Sequence, residues 1–209
     1  MRELAVQFLA LAEKQKATAP VMIGHRLMGS SLLCTGKIIE GRAHYNHALA
    51  LYAPAEHRQL ATRFGQDVAV ATWAFRSLAS WMLGYPMAAL ADTEQAISNA
   101  REIGQAATLM YALAVASFAP ALCGRYATAK ALLDELLPLA EDKGTSWWKA
   151  FGMMERGLLL ALTGKGSDAA SLIASGITSF RSIGSTYWLP TYLPYLAMAY
   201  AELGQFDDA

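Results

Sequence analysis

The chain is 209 residues long; 55 % of its residues are hydrophobic, 16 % are charged, and 17 lysines and arginines balance 17 aspartates and glutamates. This length and composition favour a globular protein with a substantial core and argue against a charge-dense coiled coil. A formal net charge of zero, with no basic cluster, argues against binding to nucleic acid and to an anionic membrane surface.

Glycines recur at a regular spacing along the chain. A glycine costs roughly 1 kcal/mol against alanine inside a helix, so a periodic glycine indicates a turn between helices. The last four glycines of this set follow one another at equal intervals, and the first interval is longer than the others. The set comprises Gly36, Gly84, Gly124, Gly164 and Gly204.

Small residues accompany each of these glycines, seven places before it and five places after it. Small side chains at both positions let two antiparallel helices approach closely, and a second set of glycines is placed to end the second helix. Each repeat is therefore predicted to be helix A, a tight turn and helix B. The small residues are Gly29, Ser77, Ser117, Gly157 and Ala197 before the turn and Gly41, Ala89, Ala129, Ala169 and Ala209 after it, and the second set is Gly104, Gly144 and Gly184.

This register predicts an all-α solenoid of antiparallel helix pairs with a period of about 40 residues. We expect a single solenoid fragment over 1–209 that opens and closes inside a repeat and belongs to a longer protein. In chain order its parts are helix B of a preceding repeat over 1–17, repeat 1 over 21–54, a connector over 55–67, repeat 2 over 68–104, repeat 3 over 106–144, repeat 4 over 146–184 and a partial repeat 5 over 187–209.

Repeat 1 contains histidines at a spacing that a metal site could use. His44 and His47 are three residues apart, with Glu40 one turn before His44, so a helix could present them on one face. No second ligand motif such as HExxH accompanies them, and they flank Tyr45 on the side predicted to face away from the core. We therefore expect surface histidines and no metal or other cofactor, and we expect His25 to be a packing residue.

The connector accounts for the long first interval between the turn glycines. Pro54 is predicted to close helix B of repeat 1, and residues 55–62 could add one or two helical turns. Asp67 stands where the next helix needs an N-cap. We expect the connector to be held by capping and packing, with a functional loop as the alternative.

Two further features bear on the location of the protein. Cys34 and Cys123 would lie roughly 20 Å apart in a stack of helices about 10 Å wide, so no disulfide and a reducing cytoplasm are predicted. Two apolar stretches, residues 103–124 and 182–201, are long enough to be mistaken for membrane spans. Their prolines, hydroxyl residues and place in the repeat favour buried solenoid helices instead.

The pattern of small residue, glycine and small residue resembles the tetratricopeptide repeat over nearly the whole chain. Trp73 stands where that repeat favours tryptophan in helix A, and Tyr126 and Phe206 stand where it favours an aromatic residue just after the turn. The departures are a period longer than the usual one of about 34 residues and the presence of Ser80 and Pro120 four places before the glycine. The resemblance implies a right-handed α-α superhelix.

The first half of the chain shows a closer resemblance, carried by the runs "HRLMGSSLLCTGK", "HALALYAPAEHRQLATRFGQDVAVA" and "WMLGYPMAALADTEQAI". They resemble the C-terminal tetratricopeptide region of large bacterial proteins that join an adenylate/guanylate cyclase or a DNA-binding regulator to a STAND-type ATPase. Val68 departs from the pattern, which often has proline there. The resemblance implies a regulatory arm without cyclase or ATPase activity of its own. The matching residues are Tyr52, Pro54, His57, Arg58, Gly65, Gln66 and Asp67.

In tetratricopeptide arrays the helices A line a concave groove, and the register predicts which residues line it here. The groove would be apolar and aromatic, without the lysine and asparagine set that grips a terminal carboxylate in chaperone-binding members. Some of these side chains must belong to the core instead. The candidates are Arg26, Ser30, Leu78, Trp81, Tyr111, Phe118, Phe151, Met154 and Met198.

Three functional hypotheses follow, in order of preference. The first is a non-catalytic interaction and regulatory arm in signal transduction, which holds a protein or peptide partner or its own upstream ATPase domain. The second is a groove for an apolar small-molecule or peptide effector. The third is a metal-dependent enzyme that uses His44 and His47. We also expect self-association through the C-terminal end, where Tyr192, Leu193, Leu196, Met198 and Tyr200 would lack cover.

Overall fold

The computed structural model describes residues 2–207, and helices without any strand make up the secondary structure of that range. The prediction of an all-α fold is confirmed. The helices group into two compact units, Met1–Cys123 and Gly124–Ala209. Ala209, predicted as a small residue after the last turn, lies outside the described residues.

The first unit begins with a single helix and continues with helical hairpins joined by short turns. Helices α2 and α3 pack together, as do α6 and α7, and α8 packs on both α6 and α7. The helices are α1 (Arg2–Gln15), α2 (Thr18–Cys34), α3 (Ile38–Ala50), α4 (Pro54–His57), α5 (Leu60–Phe64), α6 (Val68–Met82), α7 (Pro86–Ile103), α8 (Ala106–Ala116) and α9 (Phe118–Leu122).

The turn glycines of this unit adopt the backbone conformation that the sequence predicts. Gly36, Gly84 and Gly104 have φ angles of 78°, 81° and 70°, in the left-handed region where a side chain would be strained. The first hairpin also shows why small residues are needed on both sides of the turn. A Cβ atom added at Gly29 would lie 2.6 Å from Cε1 of Tyr45 and 3.0 Å from the carbonyl oxygen of Gly41. A side chain at this position would therefore prevent α2 and α3 from packing this closely.

The sequence predicts one helix A before Gly124, but the structure has two, because α8 ends at Ala116 and α9 begins at Phe118. Pro120 has no N–H to donate to the carbonyl group four residues before it. That carbonyl group, on Ala116, instead accepts a hydrogen bond of 3.4 Å from the hydroxyl group of Thr93 on α7. The break in the helix is therefore stabilised by its neighbour.

Pro54 also differs from its predicted role. Helix α3 already ends at Ala50, and Pro54 occupies the first turn of α4 instead of closing the preceding helix. This position suits proline, since the first helical N–H groups have no acceptor within the helix. The extra turns predicted for the connector are α4 and α5, which ends at Gly65 with a φ angle of 77°.

The second unit contains α10 (Tyr126–Asp142), α11 (Ser146–Leu162), α12 (Gly166–Ser182) and α13 (Leu189–Glu202). Its turn glycines are again left-handed, as predicted; they are Gly124, Gly144, Gly164, Gly184 and Gly204. Helices α11 and α12 approach as closely as α2 and α3 do. A Cβ atom at Gly157 would lie 2.5 Å from Cγ1 of Ile173, and one at Gly176 would lie 2.5 Å from Cγ of Met154.

The apolar stretches predicted to be buried helices differ in their burial. Most of α8 and all but the last residue of α9 are buried, whereas α13 is buried on one face and exposes Leu193 and Met198 on another. Within residues 2–207, no helix is both long enough and apolar enough to cross a bilayer. Cys34 and Cys123 are both present as thiols, as predicted.

Candidate functional site

The connector is tied to the first unit by a set of side chains that we call the connector network: Tyr52, His57, Arg58 and Asp67. His57 is buried, and its Nδ1 accepts a hydrogen bond of 2.9 Å from the backbone N–H of Ala53, which satisfies a donor at the start of α4. The ring of Tyr52 packs against His57 with 5.8 Å between the ring centroids. The two aromatic residues therefore hold the chain in place where it leaves α3 and enters α4.

Asp67 joins three parts of the unit. Its Oδ1 accepts from the backbone N–H of Val70 at 3.0 Å, which caps α6 as predicted, and its Oδ2 accepts from the Tyr52 hydroxyl group at 2.6 Å. Its own N–H donates to Oγ1 of Thr108 on α8 at 3.0 Å. Burial, and then the hydrogen bond to the Asp67 carboxylate, raise the pKa of Tyr52 above its ordinary value. The phenol therefore stays protonated and keeps donating.

The other residues that carry the sequence resemblance belong to this network or lie beside it in the chain. Arg58 forms an ion pair of 2.9 Å with Glu102 at the end of α7, Pro54 begins α4 and Gly65 supplies the left-handed turn. Gln66 is half-buried beside Asp67. The residues that carry the sequence resemblance are therefore close together in the structure. The contacts of Tyr52, His57 and Asp67 have a structural role, since they hold the connector against the neighbouring helices.

Three histidines meet on the surface between α2 and α3. Nδ1 of His25 and Nδ1 of His44 are 2.8 Å apart and share a hydrogen bond. The ring of His47 lies edge-on to that of His25, with 5.1 Å between centroids. His47 is exposed, as predicted, but His44 is half-buried and paired with His25. Sequence spacing could not reveal this pair, because its members lie on different helices.

The environment of the pair favours neutral imidazoles. Desolvation, followed by the neighbouring histidines, lowers the pKa of both His25 and His44 below the ordinary value, and Glu13 of α1 acts in the opposite direction. Each neutral ring has one N–H group and one lone pair, so the two Nδ1 atoms can act as donor and acceptor. The described part of the chain contains no group of three or more histidine, cysteine or acidic side chains arranged to hold a metal ion.

The residues predicted for the concave groove differ in accessibility. Ser30, Leu78 and Phe118 in the first unit are buried, and so are Phe151 and Met154 in the second. These five belong to the core, the alternative that the sequence left open, because each lies where its helix meets a neighbouring helix. Arg26, Trp81 and Tyr111 are half-buried, and Met198 is exposed.

Arg26 is the charged member of the predicted groove residues. Burial raises the pKa of Tyr111 on α8, and the guanidinium group of Arg26 acts against this shift through its charge and a hydrogen bond. Ser30, one turn along α2, accepts from the hydroxyl group of Tyr45 at 3.1 Å and donates to the carbonyl oxygen of Arg26 at 3.2 Å. The buried hydroxyl groups of Ser30 and Tyr45 therefore find hydrogen-bond partners within the first unit.

An open apolar cleft lies between α1 and α2, and we call it the α1–α2 cleft. Its volume is about 480 Å³. Leu4 and Leu11 on its α1 side are 71 % and 56 % exposed. The lining residues are Leu4, Ala5, Gln7, Phe8, Leu11, Leu27 and Ser30. The sequence analysis did not single out this surface, although the large apolar residues of α1 were a signal for it.

A buried acidic residue in the second unit was also missed. Glu155 on α11 is 1 % exposed, and its Oε2 accepts a hydrogen bond of 3.0 Å from the hydroxyl group of Tyr192 on α13. Tyr192 is itself fully buried, which corrects the prediction that it lies on an uncovered face. A glutamate within the predominantly apolar helix α11, beside Arg156, was the available signal.

Comparison with known proteins adds no assignment to this geometry. The sequence matches no protein-family model, and no curated protein is significantly similar to it.

Proposed function

We propose that this chain is the tetratricopeptide-like regulatory arm of a larger bacterial cytoplasmic signalling protein, and that it holds a protein partner or its own upstream ATPase domain. The proposal includes a right-handed α-α superhelix with a period of about 40 residues. It is supported by the glycine turns, which recur with left-handed φ angles, and by the close hairpins at Gly29 and Gly157. Repeated hairpins of this kind gain stability by stacking and present extended surfaces to partners.

The observation that favours binding is the α1–α2 cleft. Leu4, Leu11 and the half-exposed Phe8 leave apolar surface in water at an open cavity. Removal of apolar surface from water contributes roughly 25 cal/mol of favourable free energy per Å². Contiguous apolar patches therefore mark interaction sites on soluble proteins. A protein surface or a segment of the same polypeptide would provide such cover.

Site-specific photocrosslinking in the full-length protein tests this proposal. A benzophenone amino acid at position 11 should form an adduct with a protein partner, or an internal crosslink to the upstream domain, identifiable by mass spectrometry. The same amino acid at the exposed Glu94 on α7 is the matched control. Adduct yields at position 11 no higher than at position 94 would contradict the proposal.

The size of the α1–α2 cleft also favours the second hypothesis, an effector groove. Its volume of about 480 Å³ lies within the roughly 300–1,000 Å³ of small-molecule sites. An apolar effector that binds the native state should raise the Tm, and Phe8→Ser should remove the increase. A protein partner alone would leave the Tm unchanged in a screen of small apolar compounds.

A further inference from the structure

A groove runs along the outer face of α11 in the second unit, between α10 and α12, and we call it the α11 groove. Met153, Arg156 and Leu160 follow one another on α11 at i, i+3 and i+7, so they share one face of the helix. Two cavities of about 380 and 340 Å³ open over this face, and both are lined by Arg156 and Leu160. The groove therefore has two sockets with Arg156 between them.

Both sockets combine apolar walls with polar side chains. The larger one is completed by Leu137 of α10 and Leu172 of α12, with Asp168 and Ser171 also in its lining. The smaller one is lined by Tyr126, Ala127, Leu159 and Leu160, together with the polar side chains of Lys130, Thr163 and Lys165. Each socket could accept one large apolar side chain.

The charges around the smaller socket are positive. Lys130, Arg156 and Lys165 all line it. Asp134 neutralises part of this charge, but it pairs closely with Lys130 and reaches Arg156 only at 4.0 Å. The Arg156 side chain is 44 % exposed. Its guanidinium group can therefore donate two hydrogen bonds to a carboxylate of a binding partner, a stronger ion pair than the one with Asp134.

We propose that the α11 groove binds an amphipathic peptide segment of a partner protein, with large apolar side chains on both sides of an acidic one. The apolar side chains would fill the two sockets, and the carboxylate would bind Arg156 with Lys130 and Lys165 nearby. From Met153 to Thr163 the groove follows about 15 Å of helix, the length of roughly three turns of a bound helix. This inference rests on the proposed binding function and specifies the partner's chemistry.

Peptide selection on the full 209-residue chain tests the proposal, with a random 12-residue peptide library displayed on phage as the probe. Enriched peptides should combine large apolar residues with Asp or Glu, and fluorescence anisotropy of one synthetic peptide should give its Kd. Arg156→Glu should weaken binding about tenfold or more, since it replaces attraction by repulsion. Arg181→Glu, an equal charge reversal at an exposed position of α12, should change the Kd by less than about twofold.

A charge exchange makes the test sharper. When the acidic residue of the peptide is replaced by lysine, binding to the unaltered protein should fall, and binding to Arg156→Glu should recover in part. Lys165→Glu, in the exposed turn after α11, provides a second variant should Arg156→Glu fail to fold. Circular dichroism checks the folding of each variant.

The outcomes separate this inference from the function on which it rests. Peptides that bind equally well to the unaltered protein and to Arg156→Glu would overturn the groove assignment and leave a binding module intact. A selection that enriches no peptide would overturn the inference, while crosslinking at position 11 tests the broader function independently. Arg156-dependent binding to phosphatidylserine-containing vesicles, without peptide binding, would overturn it in favour of a membrane surface.

Discussion

At His25 and His44, two imidazole rings share one hydrogen bond between their Nδ1 atoms, so one nitrogen carries a hydrogen and the other a lone pair. A first added proton can bind the far nitrogen of the donor ring and leave this bond intact. A second proton must occupy the lone pair, which removes the acceptor and places two positive rings in contact. The pair is therefore expected to resist full protonation in the folded protein.

This pair predicts a pH dependence of stability. The pKa of each histidine is lowered from 6.5 by desolvation and by neighbouring histidines, with Glu13 of α1 opposing the shift. The unfolded chain then binds protons more readily, so the contribution to the unfolding free energy is complete above about pH 6.5 and is lost as the pH falls below it. Urea unfolding between about pH 7.5 and pH 5 measures this loss.

The matched variants are the double substitution His25→Gln with His44→Gln, and His47→Gln alone. The double variant should lose stability less steeply on acidification, because it has no histidine pair to protonate. His47→Gln keeps the hydrogen-bonded pair and should retain most of the slope. Equal slopes for the unaltered protein and the double variant would refute this explanation.

A second prediction at the residue scale concerns the turn before α10. Gly124 has a φ angle of 72°, and a Cβ atom there would meet no atom within 4 Å. Gly124→Val should therefore be destabilising through backbone strain alone, by about 1–2 kcal/mol. Gly124→Asn should cost less, since asparagine visits the left-handed region more readily. A loss below about 0.5 kcal/mol for valine, within the range of ordinary surface changes, would contradict the prediction.

At the scale of elements, the start of α6 depends on Asp67. Asp67→Ala should destabilise the protein by about 1–2 kcal/mol, because it removes the cap on the N–H of Val70 and the acceptor for the Tyr52 hydroxyl group. Tyr52→Phe removes only the second of these bonds and should cost less. Hydrogen exchange should show faster exchange of the Val70 amide in Asp67→Ala alone. Unchanged protection of that amide would show that the cap is dispensable.

The break between α8 and α9 shows how neighbouring elements compensate for one another. Pro120 removes a hydrogen bond within its own helix, and Thr93 of α7 donates to the carbonyl group that is left without it. A helix interrupted in this way keeps its place in the packing, because most of α8 and α9 remains buried. The proline is therefore tolerated, because α8 and α9 together take the place of the single helix that the sequence predicts.

At the scale of the whole molecule, the predicted self-association concerns the end of the second unit. Leu193, Met198, Leu203 and Phe206 are exposed there, and apolar side chains gathered at one end favour association. Sedimentation velocity should show association that rises with concentration. The double substitution Met198→Lys with Phe206→Lys should reduce it, whereas Met87→Lys, at an exposed position of α7, should not. A protein that stays monomeric at high concentration would contradict this prediction.

The sequence by itself determined the helical class and the turns, because both depend on neighbours along the chain. Glycine is strongly favoured where the backbone is left-handed, and the spacing of glycines is visible without any tertiary contact. The cap at Asp67 was predictable for the same reason, since its acceptor group and the N–H of Val70 are three residues apart. The small residues at Gly29 and Gly157 followed from the symmetry of a hairpin about its turn.

Tertiary structure alone decided which side chains meet. The His25–His44 pair spans 19 residues, the bond from Asp67 to Thr108 spans 41, and that from Tyr192 to Glu155 spans 37. The periodicity of a helix indicates which face is apolar, but it does not indicate which partner covers that face. For this reason five predicted groove residues are core residues, while the α11 groove, formed by three helices together, had no signature in the sequence.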